Sequence, residues 1–350
     1  VSAPVPGALV KIVYLVPRSV YDTKMSRVRF HQIHAIGEHA PVVWTGPGWE
    51  APKVSPAAQG MAVSARPWSS ALTPAENVAR IEIGTDPVSH NRRAELVIIY
   101  GDVGTLDGMP CPVATQFNEA YDTAKVNEYV QSNGVRLVVF HHANDMGRYW
   151  WWPKDGIVRV HVPHCADATV YRDYGLGKDI DILVVGNLND YYYPFRYRLR
   201  GLARDWFRKR GYRVEILAHP GYILPPRPGT VTGQTFARML NRSKLVFTCS
   251  MRYNYALAKY SEIASCKALA VGDLPGERKE FFRETIFNVE PWMTDAQIVR
   301  KVEDVLDDES GLLAVMTARA YDQTTAAYTM GNYAGRFLQA ATEFLEGRRT

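Results

Sequence analysis

The sequence is poor in cysteine and has no apolar run of membrane length. Cys111, Cys165, Cys249 and Cys266 form no CxxC pair, and no histidine stands near them at zinc spacing. They read as buried thiols in a reducing compartment. No apolar stretch approaches the roughly 20 residues that span a bilayer. The opening VSAPVPGALVKIVYLV has no basic region ahead of its strand-length apolar run, so no secretory leader is expected and the chain reads as cytoplasmic. A low-complexity tract, an internal repeat and the strict GxGxxG fingerprint are missing too. Charge of one sign is scarce: 41 Lys plus Arg against 36 Asp plus Glu leave +5. That balance suits anionic small ligands without demanding nucleic acid.

What is present is a globular composition, 47% hydrophobic and 22% charged, over 350 residues. This length exceeds the size at which one core usually keeps growing, so two domains are expected. The apolar runs are short, β-branched and separated by helical stretches, which is the pattern of parallel sheets covered on both faces. Strands are expected at Val10–Val16, Pro41–Thr45, Leu96–Tyr100, Val113–Gln116 and Val135–Phe140, with helices near Ser26–Glu38 and Asp122–Asn133. Residues 46–75 read as a long surface loop, and Val162–Lys178 as a link between halves. The second half repeats the alternation, with strands at Asp181–Val185, Arg213–Leu217, Lys244–Thr248, Ala268–Val271 and Ile286–Val289. Helices fall near Pro194–Arg210, Gly233–Asn241, Ala256–Lys267 and Gly276–Phe282, and from Thr294 to Gly347 only helical periodicity remains. The fold class is therefore α/β, two Rossmann-like doubly wound domains facing across a cleft. Ligands in such sheets bind at the carboxyl ends of strands. The loops after Val185, Leu217, Thr248 and Val271 are where chemistry is expected.

Two of those loops carry suitable residues. In DILVVGNLNDYYYPFRYRLRG, a strand ends in Gly186-Asn187 and a helix starts at Pro194. A glycine there lets a ligand approach the backbone, a helix start attracts phosphate, and Arg196 adds a bidentate cation. An ordinary strand–loop–helix joint with a solvated arginine gives the same letters. Arg196, Arg200, Arg204 and Arg208 recur every four residues, either as a nucleic-acid footprint or as a solvated face opposite Phe195, Leu199, Leu202 and Trp206. In SMRYNYALAKYSEIASCKALAVGD, Arg252, Lys259 and Glu262 gather at the start of a small-residue helix. A glutamate there can accept two ribose hydroxyls while Lys or Arg neutralises phosphates. The plain alternative is an i,i+3 surface pair. The surrounding Ala, Ser and Cys imply close packing, where an unpaired Glu is costly unless a ligand or partner holds it.

The order of these stretches, with FARMLNRSKLVFTCS between them, resembles the donor domain of GT-B glycosyltransferases of the family-4 type, nearest their spore-protein-glycosyltransferase-like branch. VHVPHCADATVYRDYG is similar to the segment preceding that domain. The resemblance covers roughly residues 155 to 330. It implies a nucleotide-sugar donor bound through Glu262 at the ribose, with Arg196 and Arg252 or Lys259 at the diphosphate. Gly186 and Asn187 would stand close to the donor, and main chain near Thr230 and Val231 would meet the base. The family's first glutamate falls on Asn254, and Lys267 replaces a usual glycine. It further implies retention of anomeric configuration, and a last helix near Asn332–Glu346 that crosses back to the first domain about a hinge near 325–331. The expected domains are 1–170 on the acceptor side, 171–328 for the donor, and 329–350 as the crossing helix.

Asp179-Ile180-Asp181 is a DxD that precedes its strand, so it reads as a turn; no metal and no cofactor are expected. On the first half, His141 and His142 follow a strand, as general base, acceptor ligand or structural histidines. Glu119 sits at a similar edge. Trp150, Trp151 and Trp152 either stack on an acceptor or are buried between domains. The expected function is transfer of a sugar from a nucleotide-sugar to an acceptor, which is a glycan, protein, small molecule or modified nucleic acid. The alternative is a nucleic-acid-associated protein, either a DNA-binding module or a transferase acting on a modified DNA base.

Overall fold

The computed structural model describes residues 10–23, 27–59, 61–84, 92–222 and 225–347, without the side chains of residues 23–30. Ser26, the expected start of one helix, and residues 1–9 lie outside it. The chain divides into two compact units, Val1–Pro163 with Gly331–Thr350, and His164–Met330.

The first unit carries strands β1 (Ile12–Leu15), β2 (Val42–Thr45), β3 (Lys53–Val54), β4 (Ala62–Ser64), β5 (Glu82–Gly84), β6 (Leu96–Ile99), β7 (Val113–Phe117), β8 (Val135–Phe140) and β9 (Val158–His161). Its helices are α1 (Arg18–Thr23), α2 (Arg27–Gly37), α3 (Pro74–Ala79), α4 (Thr123–Ser132) and α5 (Ala143–Arg148). Seven strands form one sheet in the order β3-β2-β1-β6-β7-β8-β9, all parallel except β3 against β2. Strands β1, β2 and β6 are buried along their whole length, because helices cover both faces of a parallel sheet. Helix ends are set locally: Asp122 accepts from Lys125 N at 3.2 Å, and Thr73 with Glu76 forms a capping box.

The stretch 46–75, expected as loop, is corrected. It holds β3, a 3₁₀ turn at Pro56–Ala58 and β4. Ser55 is fully buried there, accepting from Val42 N at 2.9 Å and donating to Ala40 O at 3.2 Å. Strands of two and three residues are too short for periodicity to register. Strand β9 was also not expected, since its half-polar Val-Arg-Val-His alternates between buried and half-buried positions.

The second unit carries β10 (Ile180–Val184), β11 (Val214–Ile216), β12 (Ser243–Phe247), β13 (Leu269–Gly272) and β14 (Ile286–Asn288). They form a wholly parallel sheet in the order β11-β10-β12-β13-β14. Its helices are α6 (Pro194–Leu202), α7 (Gly233–Arg242), α8 (Ala258–Ser265), α9 (Lys279–Thr285), α10 (Asp295–Leu306) and α11 (Leu312–Ala327). The expected link 162–178 is mostly part of this unit. Ala166 N donates to Tyr328 O at 3.2 Å, and the Tyr171 ring meets Phe236 edge-on. After α6 the helix continues as a π-turn over Ala203–Phe207. The extra residue per turn moves the apolar row on by one, so Phe207 is buried and Trp206, expected inside, is 38% exposed.

Helix α12 (Met330–Leu345) packs within the first unit. It buries Tyr333, Ala334, Phe337, Ala340 and Ala341, and Tyr333 Oη accepts from Gln116 Nε2 of β7 at 2.8 Å. No helix among the described residues is long and apolar enough to cross a membrane. Phe337→Ala should destabilise the first unit by about 3–5 kcal/mol, and Tyr333→Phe by about 1–3 kcal/mol through the stranded Gln116 amide. Urea unfolding followed by hydrogen exchange checks both; unchanged protection of β7 would show that α12 is dispensable.

Candidate functional site

Because the second sheet is parallel throughout, the loops after β10, β11, β12 and β13 all leave from one edge. Gly186, at the end of β10, has φ +93°, and a Cβ there would lie 2.6 Å from Nη1 of Arg196. The glycine therefore both takes the left-handed turn and leaves room for the guanidinium. Arg196 points inward from the first turn of α6 and is only 2% exposed. Nη1 donates to Asn187 O at 3.0 Å, and Nη2 donates to Thr248 Oγ1 at 3.2 Å and Cys249 O at 3.4 Å. The guanidinium carbon stands 4.4 Å from the Tyr193 ring centre, and the buried Nε has no hydrogen-bond partner. Among the described residues no carboxylate pairs with it. A buried cation surrounded only by neutral oxygens favours an incoming anion. Asn187 shapes the same loop, accepting from Asn189 N at 2.9 Å and donating to Tyr222 Oη at 2.9 Å.

On α8, Lys259 Nζ donates to Glu262 Oε2 at 2.5 Å. Contrary to the expectation of a glutamate left for a ligand, the pair forms, in a packed setting instead of on the surface. The Glu262 side chain is 5% exposed, and Lys259 Nζ lies 4.6 Å from the Phe236 ring centre. Glu262 is thus held by the chain itself, so absence of a partner does not argue for a ligand. Arg252 is exposed and stacks 4.2 Å over Tyr191. Thr230 and Val231 are half-buried in the loop after β11, where Thr230 Oγ1 donates to Arg227 O at 2.6 Å. Asn254 is exposed at φ +57°, and Lys267 adopts φ +54°, the backbone region that glycine favours.

Two titratable residues of this edge, His219 and Asp273, escaped the sequence reading. His219, after β11, has its pKa lowered to about 4 by burial and by Lys259, Arg227 and Arg196. Its Nδ1 accepts from Gly221 N at 3.1 Å, which leaves the proton on Nε2. Asp273, after β13, is 6% exposed; Ser250 N donates to Oδ1 at 2.8 Å and Ser250 Oγ donates to Oδ2. Burial pushes this carboxyl above its ordinary range. Gly272 lets it arrive there, because a Cβ would lie 2.6 Å from Thr248 O. Nothing in the spacing of a lone His or of a Gly-Asp pair marks these positions; only the sheet edge brings them together.

Other expected features fall elsewhere. The arginine stripe is not formed. Arg196 is buried, Arg204 pairs with Asp205 at 2.5 Å, and Arg208 donates to Val214 O at 2.8 Å. Asp179 and Asp181 lie at the amino end of β10, paired with Arg242 at 2.5 Å and Lys244 at 2.7 Å. Among the described residues no group of three or more His, Cys, Asp or Glu is placed to hold a metal. In the first unit His141 and His142 are buried; His141 Nδ1 bonds Val162 O at 2.9 Å and its ring is 5.8 Å from Tyr333. Glu119 is half-buried on the loop after β7. Trp152 is in the first unit's own core, donating to Asn127 Oδ1 at 2.9 Å, while Trp150 is exposed.

No protein-family model matches the chain, and neither does any curated protein. Solved structures do. A glycosyltransferase from Rickettsia africae is 12% identical over 97% of this chain and 99% of its own, with TM-score 0.54. Sucrose-phosphate synthase from Thermosynechococcus elongatus is 10% identical over 97% and 100%, with TM-score 0.58. Anabaena HepE, in complex with UDP-glucose, is 10% identical over 96% and 99%, with TM-score 0.57. At such identities the likeness is one of fold, and the GT-B α/β class expected from the sequence is the class found.

The His219 environment has a pH consequence. Its folded pKa, about 4, lies below the ordinary 6.5, so the unfolded chain binds the proton more readily. The associated stability is present above pH 6.5 and is lost as pH falls through about 4. His219→Gln should flatten the stability profile in that window, read by thermal unfolding at a series of pH values. An identical slope in the variant would place the titration elsewhere.

Proposed function

We propose that this chain is a glycosyltransferase that moves a sugar from a nucleotide-sugar donor, held by the second unit, to an acceptor on the side of the first. The observation that carries this reading is Arg196, a buried guanidinium with no carboxylate, at the carboxyl edge of a parallel sheet. Lys259 adds a second cation at that edge, and the loops of Gly186, Asn187, Thr230 and Val231 surround it. Glycosyltransferase relatives in fold, and the UDP-glucose bound by HepE, support a nucleotide diphosphate as the anion and make uridine the first base to try.

In this reading the bond between the sugar's anomeric carbon and the β-phosphate oxygen breaks, and its electron pair stays on the departing diphosphate. Arg196, with Lys259 or Arg252, stabilises that growing charge, which is electrostatic work that needs no metal. Glu262, already oriented by Lys259, accepts the ribose hydroxyls. The acceptor oxygen attacks from the face the diphosphate leaves and its proton passes to a phosphate oxygen, so configuration is retained. Retention and the placement nearest the family-4 transferases rest on the sequence resemblance. His141, His142 and Glu119 are the candidates for the acceptor side, and residues 325–331 are the candidate hinge.

Glu262→Gln should weaken nucleotide binding by about 1.5–3 kcal/mol, because charge-assisted bonds to ribose are lost. Calorimetry with UDP, and with GDP if UDP does not bind, checks this; unchanged affinity removes Glu262 from the ribose. Turnover should also persist in EDTA. If chelation abolishes it and Mg²⁺ or Mn²⁺ restores it, the metal-free scheme is wrong.

A further inference from the structure

Asp273 is a buried carboxylate that the donor scheme leaves unused. Ser250 donates to each of its oxygens, and among the described residues no Lys, Arg or His forms an ion pair with it. An ionised carboxylate in that setting is costly unless something further satisfies it. Its position says what that is. Asp273 lines a cavity of about 370 Å³ together with Asn254, Arg252, Cys249 and Met251 at the edge of the second sheet. Such a volume lies at the small end of the ligand-pocket range, roughly 300–1,000 Å³.

Asn254 stands where the family-4 resemblance places a glutamate. Ser250 Oγ also lies 3.3 Å from Asn254 Oδ1, so one hydroxyl touches both side chains. A carboxylate has about four acceptor positions. Ser250 takes one on each oxygen, so a residue that lines the cavity keeps acceptor capacity to spare. An anionic group would be repelled by that carboxylate and drawn to Arg252 on the same wall, whereas vicinal hydroxyls would be accepted by the carboxylate in pairs. Arg196 thus marks the anionic end of a ligand and Asp273 a neutral, polyhydroxylated end. Arg198, also in the wall, is committed to Asp295, Pro291 O and Met293 O.

We infer that Asp273 determines which sugar is accepted: the carboxylate absent at 254 is supplied from the neighbouring loop and grips the hydroxyls of the transferred monosaccharide. The inference rests on the donor reading proposed above. It is tested on the full chain with free UDP and GDP against UDP-glucose, UDP-galactose, UDP-N-acetylglucosamine and GDP-mannose, by calorimetry. Asp273→Asn keeps the size and one acceptor for Ser250. It should reduce the affinity for the preferred nucleotide-sugar by at least about tenfold and leave the free nucleoside diphosphate within about twofold, as loss of charge-assisted bonds to the sugar alone requires. Equal losses for both ligands, or none, overturn the role of Asp273 while leaving the donor site standing. If the wild-type chain binds none of these compounds, the donor reading falls and this inference with it. Should Asp273→Asn not fold, Asn254→Asp keeps the Ser250–Asp273 brace and adds a carboxyl on the same wall. It should change the order of preference among the sugars; an unchanged order overturns the inference.

Discussion

The Arg196 guanidinium lies out of water at the end of a parallel sheet, ringed by two carbonyl oxygens and one hydroxyl. Neutral oxygens compensate a buried cation only in part, so the groups that do so must be held firmly. That requirement ties together the ends of two strands. Asn187 O belongs to the loop after β10, while Thr248 Oγ1 and Cys249 O belong to the loop after β12. Gly186 has no side chain because the guanidinium occupies the space. Gly272 has none because the end of β13 closes on Thr248 O from the other side. One charge therefore constrains one glycine and two loops, a second glycine is required by the main chain at Thr248, and the rest of the unit's packing offsets the cost.

The sheets were largely legible because buried parallel strands announce themselves as unbroken β-branched runs. Ile182-Leu183-Val184 and Leu245-Val246-Phe247 could hardly be anything else. What escaped had physical reasons. Val158–His161 hides its strand behind alternating polarity, and Lys53–Val54 is too short to carry a period. The π-turn after α6 inserts a residue that no pattern foretells, which exchanges the places of Trp206 and Phe207. At the site, Arg196 was found from its place after a strand. Its burial, and the company of His219 and Asp273, depend on loops that meet only when the sheet has formed.

The pair on α8 is formed within the packed unit. Glu262 looked costly without a ligand, yet Lys259 holds it. A carboxylate oriented before any ligand arrives loses less entropy on binding than one that must be ordered at that moment. The same helix ends on Lys267 in a left-handed conformation that costs a non-glycine residue about 1 kcal/mol or more. Its side chain reaches Asp173 at 3.2 Å and its carbonyl accepts from Lys178 Nζ at 2.5 Å, so the strained position is fastened from both ends.

The return of α12 to the first unit has a temporal side. During synthesis the first sheet leaves the ribosome with one flank unfilled, because the helix that carries Tyr333 and Phe337 is separated from it by the whole of the second unit. That interval is roughly 170 residues, on the order of ten to thirty seconds at about 5–20 residues per second. The second unit, contiguous in the chain, can complete its core as soon as it emerges. The order of maturation is thus the reverse of the order of translation, and the nascent first sheet is the part of this protein that most needs shelter from aggregation.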